Sequence, residues 1–101
     1  MHPTIIDYIP CRIVECYYDD GTEVIIGDNN YHYKIRGTGA MIWRLIDGEC
    51  SIENITRKIS LKLNLEYSEL LIEEVIEFIK MLEKKQIACL NWNPSLIRNM
   101  E

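Results

Sequence analysis

Four cysteines and two histidines are the side chains in this 101-residue chain best suited to holding a metal. Cys11, Cys16, Cys50 and Cys89 contain no CxxC pair, and His2 and His32 complete no ligand spacing, so no metal site is expected. Cys11 and Cys16 lie five positions apart, so on one strand they would point to opposite faces and could not bridge each other. Reduced, mostly buried thiols are the simpler expectation. Glu73 and Glu74 have the chemistry of an acid and a base, yet adjacent helical residues point about 100° apart, and an acidic helix start explains them. Gly37-Thr38-Gly39 is too short for a dinucleotide fingerprint, and the chain carries no nucleophile elbow or phosphate loop. No catalytic residue and no cofactor are expected, which points to a binding protein and not an enzyme.

A binding protein needs elements that present a surface, and these are organised around residues 31–48. Tyr31, Tyr33 and Ile35 alternate with His32 and Lys34 at the two-residue period of a strand. Thr38 can cap a following helix that carries Met41, Ile42, Trp43, Leu45 and Ile46, and Gly48 can stop it in the left-handed region. Upstream, residues 12–18 read as a first strand with Val14, Cys16 and Tyr18 on one face. Asp20-Gly21 signals a hairpin, Glu23 to Gly27 returns, and residues 28–30 turn into the third strand. The expectation is a three-stranded antiparallel meander.

Downstream, Ser51 can cap a second helix with Ile52, Ile55, Ile59 and Leu63 at helical spacing. Ser68 can cap a third and longest helix running to about Gln86. Its Glu69, Glu73 and Glu74 near the start and Lys80, Lys84 and Lys85 near the end suit the helix dipole. Residues 87–92 read as a short terminal strand or wing and residues 93–101 as a weakly ordered tail. The whole is an α+β fold, a sheet followed by three helices, in one domain over residues 1–101 with its core at about 11–92.

The balance of 16 acidic against 11 basic side chains, net −5, gives no general attraction to nucleic acid or anionic membrane. No apolar run approaches the roughly 20 residues of a membrane span, and the first ten residues lack a signal peptide's basic head and apolar core. A soluble, cytoplasmic protein is expected.

The third helix carries more apolar surface than one core contact needs. Leu71, Val75, Phe78 and Leu82 define one stripe, and Ile72, Ile76 and Ile79 a second beside it. Both stripes could be core, or the second could line a groove for a partner segment beside a sheet edge.

The segment Ile35-Arg36-Gly37-Thr38-Gly39-Ala40-Met41-Ile42-Trp43, followed by Leu45, Asp47-Gly48 and the helix start over residues 51–55, resembles the PqqD-like proteins, also called RiPP recognition elements. The resemblance covers about residues 12–90, and Arg36 stands where the family usually has asparagine. It implies a winged helix-turn-helix-like domain that binds the leader region of a ribosomally synthesised precursor peptide. Such a domain acts as a peptide chaperone, delivering the leader to a radical SAM maturase, a leader peptidase or a similar enzyme of natural-product biosynthesis. In the family the leader adds as a strand beside the third strand and rests on the third helix. Carried to this chain, the peptide-binding residues are Tyr31, His32, Tyr33 and Lys34 on the strand, facing Ile72, Ile76, Ile79 and Lys80.

Two other classes fit the element order: a winged-helix DNA-binding regulator and a general protein-protein adaptor. DNA affinity grows with the phosphates neutralised, and Glu69, Glu73, Glu74, Glu77 and Glu83 on the third helix oppose it; only Arg57, Lys58 and Lys62 on the second helix form a basic patch. An uncovered strand edge could also pair with a second copy of the chain, giving a homodimer.

Overall fold

Alternating burial builds the first layer. Val24 and Ile26 on Glu23–Gly27 (β3) and Ile35 on His32–Arg36 (β4) turn inward and are buried, while His32, Lys34 and Arg36 face outward. With Tyr17–Asp19 (β2) they form an antiparallel sheet in the order β2-β3-β4. The structure is a computed structural model and describes residues 5–13, 17–27 and 32–91. The Asp20-Gly21 hairpin forms as its sequence dictates: Gly21 takes φ +90°, and the Asp20 carboxylate accepts from the Thr22 and Glu23 amides at 2.8 and 2.7 Å. The turn expected at residues 28–30 lies outside the described residues.

The expected first strand over residues 12–18 divides. Tyr17 and Tyr18 join the meander, with Tyr18 63% exposed. Arg12 instead forms Cys11–Arg12 (β1), which pairs antiparallel with Ala88–Cys89 (β5) in a separate two-stranded sheet. Just beyond β1, the Ile13 amide donates to the Ile87 carbonyl at 3.1 Å; Cys11 also forms an isolated bridge with Asp47 on its other side. Val14, Cys16, Trp92 and the tail lie outside the described residues. Cys11, Cys50 and Cys89 are free, half-buried thiols.

Strand β4 runs into Gly37–Leu45 (α1) with no intervening loop. Gly37 makes the corner at φ +59°, a left-handed conformation that a side chain would resist. The helix therefore starts before Thr38, which does not cap it. Arg36 occupies the N-cap position without a side-chain cap bond, and its guanidinium instead meets Glu23 Oε2 at 2.7 Å. Gly48 is left-handed as expected, at φ +80°, but in the turn beyond the C-cap Ile46.

The next two helices begin at the expected serines. Ser51 Oγ accepts from the Asn54 amide at 3.2 Å to open Ile52–Leu63 (α2), and Ser68 Oγ accepts from the Leu71 amide at 3.2 Å to open Glu69–Lys84 (α3). Ile52, Ile55 and Ile59 are fully buried, while Leu63, at the end of the expected stripe, is exposed.

Trp43 sits at the centre of the core, fully buried and edge-on to Tyr17 with ring centroids 5.4 Å apart. Arg12 locks this centre from outside. Its Nη1 donates to the Trp43 and Arg44 carbonyls at 3.0 and 3.3 Å, satisfying carbonyls at the end of α1, while its guanidinium lies 5.5 and 5.9 Å from the Tyr17 and Trp43 rings.

Candidate functional site

An unpaired strand edge is a row of unused backbone donors and acceptors, so the direction of each β4 amide decides what the edge can do. The Asp20 amide donates to the Glu23 carbonyl, so Glu23 turns its backbone groups toward β2. Alternation along an unbulged antiparallel ladder then turns Val24 and Ile26 toward β4, where they oppose Ile35 and Tyr33. The backbone groups of His32, Lys34 and Arg36 consequently face away from the sheet, and no strand covers them among the described residues. The other edge, β2, spans three of the described residues, and Asp19 is held there by Arg44 through two hydrogen bonds of 2.7 and 2.8 Å. That hydrogen-bonded guanidinium, followed by the Gly21 amide, draws the Asp19 pKa down to about 2. The five-residue β4 is thus the longer and less encumbered edge.

A groove of about 320 Å³ runs alongside it. One wall is His32 to Ile35 of β4; the other is Met81, Leu82 and Lys85 at the end of α3, with Ile87 closing the base. Tyr33 is half-buried and Met81 is 41% exposed, so both apolar walls remain accessible. The Lys85 ammonium rests 4.6 Å from the centre of the Tyr33 ring, and no carboxylate lines the groove among the described residues. Strand, corner and helix come together at Gly39. A methyl group on Gly39 would stand 2.9 Å from the Phe78 ring and 3.0 Å from Ile35 Cγ2, so Gly39 is where the start of α1 lets Phe78 in. No group of metal-binding side chains occurs among the described residues.

A model of the family described as coenzyme PQQ synthesis protein D (PqqD) matches residues 22–88, well over half of the chain. The chain belongs to the PqqD family. No curated protein and no solved structure matches it. The matched stretch takes in β3, β4 and α1 to α3, so the edge and every residue named as lining the groove lie inside it, whereas β1 and β2 precede it.

Within this PqqD fold the strand residues expected to bind a peptide fall at the edge: His32 and Lys34 exposed, Tyr33 lining the groove. Tyr31 lies outside the described residues. The helical residues are placed differently. Ile79 is fully buried with Leu71, Val75 and Leu82, so it belongs to the core stripe, and Phe78, expected in that stripe, is half-buried against Gly39 and Ile35. Met81 follows Ile72, and Lys85 follows Ile76, by nine positions, about two and a half turns, which puts the half-buried Ile72 and Ile76 on the opposite flank of α3 from the groove. Glu83, seven positions after Ile76 and so on its row, reaches the chain just past β5, accepting from the Leu90 amide at 2.9 Å. Lys80 lies outside the groove as well, 4.0 Å from Glu77.

The groove's helical wall, Met81, Leu82 and Lys85, is therefore what the sequence reading missed. Its signal was the row Phe78, Met81, Lys85 at three- and four-residue spacing, which the richer isoleucine row outweighed.

Proposed function

We propose that this chain binds the leader region of a ribosomally synthesised precursor peptide by strand addition to β4 and presents it to a modifying enzyme of natural-product biosynthesis. It is a binding module and does no chemistry itself. Membership of a family named for coenzyme PQQ synthesis supports the setting. The observation that carries the mode is the edge: three outward-facing backbone positions at His32, Lys34 and Arg36 backed by an accessible apolar groove. Main-chain bonds to such an edge supply affinity without regard to sequence, and the groove selects side chains. The modifying enzyme is a radical SAM maturase, a leader peptidase or a comparable peptide-processing partner.

The test is a titration with the leader of a precursor encoded beside this gene. Lys34→Pro and His32→Pro each remove one outward donor, so each should weaken the complex about five- to tenfold, the equivalent of one hydrogen bond. Lys34→Ala separates loss of the donor from loss of the charge. Tyr33→Pro breaks a bond to β3 instead and should lower the melting temperature. Unchanged affinity in folded His32→Pro and Lys34→Pro proteins would exclude strand addition. The DNA-binding reading gains no support from α3, whose Glu73, Glu74 and Glu77 are exposed.

A further inference from the structure

We infer that the segment captured at β4 is an alternating acidic and apolar strand, its carboxylates facing Lys34 and its apolar side chains entering the groove beside Lys85. The inference rests on capture at the β4 edge and adds what the edge selects. In a paired strand, the residue opposite Lys34 points to the same side of the sheet as Lys34, and its two neighbours point to the other side, over Tyr33 and Ile35. The two faces offer different chemistry. Outward, Lys34 is exposed and has no carboxylate partner among the described residues, while Arg36 beside it already holds Glu23. Inward, the groove is apolar through Ile35, Met81, Leu82 and Ile87, and its rim carries Lys85, whose ammonium rests over the Tyr33 ring and meets no carboxylate among the described residues.

Two cations at one edge with no carboxylate beside them among the described residues are unexpected in a chain of net charge −5. A basic segment drawn by the overall field would be repelled where it docks. An acidic one gains a cross-strand ion pair at Lys34, and the apolar residues on either side of it fill the groove, where the Lys85 ammonium disfavours a cationic side chain. The alternation is thus set by the pleat: one register satisfies both faces, and a one-residue slip would put carboxylates in the groove and apolar side chains over Lys34.

The experiment selects short random peptides from a display library on the full chain and discards those that still bind Lys34→Pro, which leaves the edge-dependent binders. Synthetic copies are then titrated with Asp and Glu intact, replaced by Asn and Gln, or replaced by Lys, at low and high salt. Enrichment of acidic residues at every second position is expected, with apolar residues between them. Each neutral replacement should weaken binding about two- to fivefold at low salt and less at high salt. Lys34→Glu should lose the acidic peptides and recover those carrying Lys. Edge-dependent binders with neutral or basic alternate positions would overturn the charge inference and leave edge capture standing. Failure to recover any peptide sensitive to Lys34→Pro would overturn edge capture itself.

Discussion

Trp43 shows how much a single side chain organises here. It is fully buried, it meets Tyr17 edge-on, and its carbonyl is held by Arg12. Its indole Nε1 has no hydrogen-bond partner among the described residues, so the ring contributes by filling space and not by donating. Trp43→Ala should therefore cost about 3–5 kcal/mol, a large share of a small domain's total of about 5–15 kcal/mol. Trp43→Phe, which keeps an aromatic ring and removes the unpaired N–H, should cost clearly less. Urea unfolding of both variants checks this, and equal losses would show that the indole nitrogen matters after all. The docking role of Trp43 was legible in the sequence, because a nine-residue helix is too short to stand alone and must bury its apolar face. The role of Arg12 was not. Its bonds reach 31 and 32 positions along the chain, and such a contact leaves no periodic trace.

The decisive element is α3. Its start, its polarity and its wide apolar arc could be read directly, since Ser68 and the placement of charges announce them. Which neighbour covers which flank could not. Periodicity gives the angle between two residues on a helix but not the direction of the sheet, so the isoleucine row pointed to a different flank from the one that lines the groove beside β4. Substitution by aspartate reads the flanks separately. Ile79→Asp forces a carboxylate into a site with no water access and should unfold the protein. Met81→Asp, at a position 41% exposed, should melt close to the parent and bind leader at least about tenfold more weakly, as removal of one apolar anchor predicts. Ile76→Asp should lower the melting temperature by removing a half-buried side chain but leave leader affinity within about twofold in the folded fraction. Lost binding in Ile76→Asp beside normal binding in Met81→Asp would return the groove to the other flank.

At the scale of the molecule, the local signals sufficed for the sheet and the helices but not for how the two ends of the described chain meet. The Asp20-Gly21 turn and the two serine caps fix where elements start, and the meander and helices follow in order. The division of the expected first strand had no local mark, because β1 is defined only by partners far away in sequence, Asp47 on one side and Cys89 on the other. Among the described residues both sides of β1 are occupied and β2 spans three residues, so the longer open edge is the five-residue β4. The alternation of its amides also gives the strand two clocks. Tyr33 and Ile35 donate inward to β3, so their amide protons should exchange with solvent deuterium only when the sheet opens, whereas those of His32, Lys34 and Arg36 should exchange quickly in the free protein. When a leader docks, those fast protons should become slow and the two-residue rhythm of exchange along β4 should disappear. Amide exchange followed by NMR with and without peptide would record this one residue at a time, and a rhythm that persisted under saturating leader would mean that the peptide binds elsewhere.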